Sequence, residues 1–153
     1  MLMAAPLSTS ALPDIACGSA RLLSAYDYWR RCGGQNRLPG RQHIDPVDIP
    51  ALLPDLMLVD FGDGHYRCRL AGTRVVEHFS QELTGRVFNR DLLGKPFDAW
   101  IRALERARCG GQPVGGNELW WDQREHHPFQ WLFLPLATDG RTVDKLMVVF
   151  DWL

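Results

Sequence analysis

The alternation of apolar and polar side chains divides the chain into helical and extended segments. Leu22, Tyr26 and Trp29 recur at helical spacing within residues 19–31, and a Gly-Gly pair follows them, which predicts an amphipathic helix. Four prolines fall within residues 38–54, where they fix φ and remove amide donors, so only turns or one short helix fit this stretch. A structured connector is therefore expected between this helix and the rest of the chain.

Strand patterns begin after the connector. Residues 56–70 read as a hairpin with a Gly-Asp-Gly turn near its centre. In its second strand, Tyr66, Cys68 and Leu70 alternate with two arginines, which predicts that these three apolar side chains share the face turned to the core.

The rest of the chain combines helices with three more strands. Short helical elements are predicted within residues 73–86, and a longer amphipathic helix is predicted for residues 97–107. Strand patterns follow at about residues 114–121, 129–136 and 143–152. This order indicates an α+β fold, with an antiparallel sheet, helices gathered on one face and an additional N-terminal amphipathic helix.

One of these strands is apolar on both sides. Phe129, Trp131 and Phe133 share one of its faces, while Leu132 and Leu134 occupy the other. A sheet covered on one side only does not need a second apolar face, so the helix at the start of the chain is expected to cover it, within one chain or across a dimer. The candidate interface residues are Leu22, Tyr26, Trp29, Leu132 and Leu134.

Length and composition narrow the class of protein. A chain of 153 residues with 46% hydrophobic side chains can bury the core of a single domain. With a formal net charge of −1, the molecule as a whole has no positive field that would attract nucleic acid or an anionic membrane. No apolar run is long enough to span a bilayer. A signal peptide would require a basic residue near its start, and none precedes Arg21. The cytoplasm is the expected location, with residues 1–18 as a disordered lead-in, 19–54 as helix and connector, and 55–153 as the domain.

Residues capable of acid–base or metal chemistry are few. Asp60, Asp63 and His65 cluster at the hairpin, but its Gly-Asp-Gly sequence is what a turn needs for backbone reasons. The adjacent His126 and His127 would point to opposite sides of a strand, and the cysteines have no zinc or redox spacing. Metal binding and catalysis are therefore not favoured. The alternative is a small cone-shaped isomerase or hydrolase that uses Asp60, His65 or His78 inside a cleft.

Several motifs occur in an order that resembles a known family. Two strands, short helices ending in Glu-Leu-Thr-Gly-Arg at 82–86, a longer helix, and three strands with Leu-Pro-Leu at 134–136 look like a PAS domain over residues 54–153. Tyr-Trp-Arg-Arg at 28–31, the proline-rich connector and Leu-Ala-Gly-Thr at 70–73 resemble a bacterial single-domain PAS subfamily. The resemblance implies a five-stranded sheet with a cleft beneath its helices, used for small-molecule sensing and protein contacts.

The resemblance also bears on cofactors. The flavin-binding branch places a reactive cysteine after an asparagine, whereas Asn89 is followed here by Arg90, which argues against flavin. His78 lies in the general region of a haem ligand but matches no ligand position, so haem is not favoured. The side chains that would line the cleft are Cys68, Leu70, Phe79, Trp100, Leu104, Trp131, Phe133, Met147 and Val149. Since no polar anchor is evident beyond Arg108, a closed core is favoured over a cleft.

These observations predict a stand-alone sensory or adaptor domain that acts by binding a small apolar ligand, a signalling protein or a second copy of itself. We expect a homodimer without catalytic turnover. Because the sequence ends with its last strand, the signal is expected to leave through the outer face of the sheet and the N-terminal helix.

Overall fold

The N-terminal helix and the connector lie where the sequence predicts them. The computed structural model describes residues 18–117 and 129–152. Helix α1 (Ala20–Cys32) begins after Ser19, whose side chain accepts a hydrogen bond from the backbone N–H of Leu22. Three single-turn 3₁₀ helices follow in the connector, at Arg41–His43, Pro46–Asp48 and Leu53–Asp55.

Five strands form one antiparallel sheet, which confirms the predicted fold class. They are β1 (Leu56–Gly62), β2 (His65–Ala71), β3 (Val114–Asn117), β4 (Phe129–Leu136) and β5 (Lys145–Trp152). The spatial order is β2-β1-β5-β4-β3, so the last strand of the sequence lies at the centre of the sheet. Each pair of neighbours is antiparallel.

Three helices connect β2 to β3 and cover one face of the sheet. They are α2 (Thr73–Phe79), α3 (Arg90–Leu93) and α4 (Phe97–Gly110). The apolar stripe of α4 packs on β3, β4 and β5, and we call the face beneath it the inner face. The longer helix predicted from the sequence is present.

Helix α1 packs on β4 and β5, on the opposite, outer face. Leu22, Tyr26 and Trp29 are fully buried there, and the Trp29 indole donates a 2.7 Å hydrogen bond to the backbone oxygen of Pro135. Strand β3 begins opposite Phe133 and does not extend to Pro135, so the indole takes the place of a strand partner. The second apolar face of β4 is therefore covered within one chain.

A bulge changes which side chains of β2 face the core. Leu58 pairs with Leu70, but the next residue, Val59, pairs with Cys68, so Arg69 is an extra residue in β2. An inserted residue reverses the side of every residue beyond it. Leu70 therefore lies on the outer face, and the prediction that it shares a face with Cys68 is wrong.

Candidate functional site

The predicted cleft is occupied by the protein's own aromatic rings. Trp100 of α4 is fully buried and stacks near Phe133 of β4, with the ring centroids 5.9 Å apart. Phe79 and Phe150 lie beside Trp100, at 6.0 and 6.2 Å. Ring pairs at these separations attract one another beyond the effect of area burial. The inner face is thus a packed aromatic cluster.

Six of the nine predicted cleft residues are buried between the helices and the sheet: Cys68, Phe79, Trp100, Leu104, Trp131 and Phe133. The other three belong to the outer face. Met147 and Val149 pair with Leu134 and Leu132, which alternate with the inward-facing Phe133, and Leu70 follows the bulge. Their assignment to the inner face is wrong, because one residue of register decides the side.

Trp131 supplies a polar group on the inner face that was not expected from the sequence. Its ring centroid lies 4.6 Å from that of Phe133, and its buried indole Nε1 has no hydrogen-bond partner among the described residues. The ring fills the space over Gly116 in the edge strand β3, where an added Cβ would come within 2.6 Å of it. An unpaired buried donor costs roughly 1–3 kcal/mol, so an acceptor placed here would relieve that cost.

Cys68 gives no support for thiol chemistry. It is fully buried on β2, and burial raises the pKa of its thiol to about 11. A thiol with so high a pKa stays protonated at neutral pH and is a poor nucleophile.

A second feature is a buried carboxylate, Asp55, just before β1. Its two oxygens accept hydrogen bonds from Arg21 at 2.7 Å, from Arg74 at 2.8 and 2.7 Å, and from the indole of Trp152 at 2.9 Å. These four residues are called the Asp55 cluster. Their elements are α1, the connector, α2 and β5, so one carboxylate joins four parts of the fold.

The start of α1 is fastened to the end of β5 beside this cluster. The hydroxyl of Ser19 donates a 2.7 Å hydrogen bond to Asp151, and Arg21 lies 3.7 Å from the same carboxylate. Neither contact was expected from the sequence. Only the fold brings together residues from the two ends of the chain, and no local pattern marks them.

Arg108, the one polar anchor suggested for the cleft, is engaged elsewhere. Its guanidinium donates to the hydroxyl of Tyr66 at 2.8 Å and to Glu105 at 2.6 Å, and it lies 3.8 Å from the centroid of the Phe61 ring. Burial raises the pKa of Tyr66, whose hydroxyl also donates to Glu105 at 2.6 Å. These contacts tie α4 to the hairpin and leave the guanidinium without a role as a ligand anchor.

The acid–base candidates Asp60, Asp63 and His65 lie outside the inner face. Asp60 shares the outer face with Lys145, 3.9 Å away, and Arg69 approaches it to 4.0 Å. Asp63 and His65 are exposed at the turn, and all of these residues line an open groove of about 420 Å³, the hairpin groove. His78 stacks on Trp152, with the ring centroids 3.7 Å apart. The expectation that Asp60 and His65 work inside a cleft is therefore wrong in its placement.

The remaining candidates add no site. His126 and His127 lie outside the described residues, as do residues 1–17 of the predicted lead-in. Across residues 18–117 and 129–152, no three His, Cys, Asp or Glu side chains come together as metal ligands would. In the described part of the chain, no helix has both the length and the apolar character to cross a membrane.

All five predicted interface residues lie within one chain. Leu22, Tyr26 and Trp29 of α1 and Leu132 and Leu134 of β4 have at most 1% of their surface exposed. The sequence left open whether this contact forms within a chain or between two chains. In the structure the contact forms within one chain. These side chains are therefore part of the core, and their prediction as a free interface is corrected.

Known proteins share this arrangement of strands and helices. A family model described as a PAS domain matches residues 18–150. Among solved structures, a light-oxygen-voltage domain from work on a flavin analogue has a TM-score of 0.54 at 11% identity. The alignment covers 70% of this chain and 82% of that domain's chain. A sensory box sensor histidine kinase from Vibrio cholerae has a TM-score of 0.52 at 14% identity, covering 70% of this chain and 88% of its own.

A light-oxygen-voltage protein from Rhodobacter sphaeroides is a further match. Its TM-score is 0.53 at 16% identity, covering 72% of this chain and 69% of its own. At these identities the likeness is one of fold. Among curated proteins, none matches the chain.

Proposed function

The chain belongs to the PAS domain family, and from this premise we propose that it is a sensory or adaptor domain that acts by binding rather than by catalysis. The observation that carries the proposal is the indole Nε1 of Trp131, which is buried within the aromatic cluster of the inner face and has no hydrogen-bond partner in the described part of the chain. A binding site is typically apolar with a few polar groups that fix orientation, and this face has that composition.

The ligand is proposed from the chemistry of its surroundings. Flat or compact apolar molecules suit the rings of Trp100 and Phe133, and a carbonyl or similar acceptor suits the Trp131 N–H. Because these rings already contact one another, binding requires them to move apart. We therefore propose that occupancy changes the packing of the inner face, which is the event a sensor has to report.

Contacts lead from this cluster to the outer surface. Phe150, beside Trp100, stacks on Trp152 with the ring centroids 4.9 Å apart, and Trp152 donates to Asp55. Asp55 in turn holds Arg21 of α1. This chain of contacts supports α1 and the end of β5 as the place where a change in the core reaches a partner protein. We propose that the protein does this in the bacterial cytoplasm as a homodimer.

The enzyme alternative gains no comparable support. Its Asp60 and His65 line the open hairpin groove, where the cationic side chains of Lys145 and Arg69 lie 3.9 and 4.0 Å from Asp60. Long, partly exposed ion pairs of this kind do not perturb a catalytic group in the way that a buried site does.

Native mass spectrometry of the purified protein, together with its absorption spectrum, tests the ligand proposal. The wild-type protein is expected to carry a small-molecule adduct, and Trp131→Phe, which keeps a ring but removes the donor, is expected to carry less of it. Arg106→Gln, at an exposed position of α4, is the control and should retain the adduct. Equal adduct on wild type and Trp131→Phe would reject Trp131 as the anchor, and adduct-free wild-type protein would favour the adaptor role alone.

A further inference from the structure

The outer face of the sheet has one apolar area that α1 does not cover. Among the described residues, Val47 and Leu70 are the large hydrophobic side chains left exposed, at 82% and 46%. Val47 stands on the 3₁₀ turn Pro46–Asp48, and Leu70 lies on β2 beyond the bulge. We call this area the connector face. Pro46, the neighbour of Val47, lines a pocket together with Leu70, and exposed apolar side chains of this kind are a feature that association with a partner would cover.

A small apolar pocket lies between Leu70 and Pro46, the residue that precedes Val47. It has a volume of about 30 Å³ and is formed by the connector, with Ile44 and Pro46, and by the sheet, with Leu70 and Met147. A pocket needs about 10–15 Å³ to hold one water, so this one has room for the end of a small branched side chain. Pro46 borders the pocket and Val47 follows it, so a protruding side chain and a recess lie next to each other.

Charges of both signs surround this pair. Arg41 lines the pocket, and its guanidinium donates to the backbone oxygen of Ile44 at 2.9 Å. Asp45 and Asp48 flank Val47, where they accept hydrogen bonds from the Val47 N–H and the Tyr28 hydroxyl. Within the described residues, none of these three charged groups has an ion-pair partner. A cationic side chain therefore lies at the recess, and two anionic side chains lie beside the protruding valine.

We propose that the connector face binds a second copy of this chain, with Val47 of each copy in the pocket of the other and Arg41 of each facing the acidic turn of the other. A twofold contact needs a surface that is complementary to itself. The connector face has this property, since protrusion and recess, and cation and anion, lie side by side on it. The inference rests on the homodimer of the proposed function and gives that dimer its surface.

Sedimentation velocity over low to high micromolar concentration tests the contact on the full chain. The wild-type protein is expected to dimerise, and Val47→Asp and Leu70→Asp should each raise the dissociation constant at least about tenfold, because an unpaired carboxylate would be buried in an apolar pocket. Arg106→Glu, an exposed position on α4, is the control for a change of charge elsewhere and should leave the dimer unchanged.

A charge exchange tests the pairing itself. Arg41→Glu alone and Asp48→Arg alone should each weaken the dimer, because like charges then face each other twice. An equimolar mixture of the two variants should dimerise again, because in the mixed dimer each acidic group faces an arginine. Melting curves of each variant check that it is folded. A mixture of folded variants that stays monomeric would overturn the pairing.

The outcomes separate this surface from the wider proposal. A wild-type dimer that survives both Val47→Asp and Leu70→Asp would overturn the connector face as the interface and leave the homodimer standing. A wild-type monomer at high micromolar concentration would overturn both and leave this face to a different protein. The ligand experiment with Trp131→Phe is independent of either result.

Discussion

Two aspartates near the two ends of β1 have opposite surroundings. Asp55, just before the strand, has 1% of its side chain exposed and accepts hydrogen bonds from two arginines and an indole. Asp60, within the strand, has 28% exposed and is approached only to 3.9 and 4.0 Å by Lys145 and Arg69. Charge pairs in the open contribute little, whereas a buried carboxylate depends on every donor around it. The more conspicuous cluster in the sequence is therefore the less important one for the fold.

The largest difference is expected when each aspartate loses its charge. Asp55→Asn should lower the free energy of unfolding by about 3 kcal/mol, because two arginines lose the carboxylate that neutralises them in a buried site. Asp60→Asn should change it by less than about 1 kcal/mol, because Lys145 and Arg69 stay 3.9 and 4.0 Å from this partly exposed carboxylate, beyond hydrogen-bond distance. Urea denaturation of both variants measures this contrast, and equal losses would show that the two sites are energetically alike.

The fold could be predicted from the sequence, whereas the Asp55 cluster could not. Local periodicity indicates α1, the hairpin and α4, because these patterns repeat within a few residues. Asp55 takes its donors from Arg21, Arg74 and Trp152, which lie on three separate elements, and no local pattern records such a meeting. Tertiary contacts alone make this carboxylate different from Asp60.

The sides of the sheet were predicted only in part, for a similar reason. Alternation along β2 places Cys68 on the inner face and would place Leu70 with it, but the bulge at Arg69 moves Leu70 to the outer face. Along β5, the register with β4 puts Met147 opposite Leu134. The first error comes from the inserted residue, and the second arises because β5 is buried on both faces, so its apolar pattern does not show which side chains face the helices.

A smaller loss is expected when the indole donor of the Asp55 cluster is removed. Trp152→Phe keeps a ring that can stack on Phe150 but removes the 2.9 Å hydrogen bond to Asp55. The free energy of unfolding should fall by about 2 kcal/mol, as for hydrogen bonds to charged groups. In double-mutant cycles, this change should couple to Asp55→Asn and not to Asp60→Asn. Independence from Asp55 would mean that the indole stabilises the end of β5 through packing alone.

A still smaller loss of unfolding free energy is expected when the contact between α1 and β5, beside the Asp55 cluster, is removed. Ser19→Ala removes both the acceptor for the Leu22 N–H and the donor to Asp151, and a lost N-cap costs about 1 kcal/mol. Hydrogen exchange should become faster in the first turn of α1 and at the end of β5 together. Asn89→Ala, which removes the corresponding cap of α3, is the control and should speed exchange only near α3. Faster exchange in α1 alone would argue against the connection to β5.

The smallest expected effect lies in the hairpin groove and concerns pH. Burial raises the pKa of Asp144, but hydrogen bonds from the Thr138 hydroxyl and N–H, together with Lys145, outweigh burial and lower it below its ordinary value. A carboxyl whose pKa is lowered by folding stabilises the protein above the pKa of the unfolded chain, and this contribution is lost as the pH falls through the folded pKa, below roughly pH 4. Thr138→Val removes the hydroxyl donor at 2.6 Å and should flatten the fall of unfolding free energy in that acidic range while leaving its slope near neutral pH unchanged. An unchanged acid slope in Thr138→Val would show that the groove makes no contribution to acid stability through this pair.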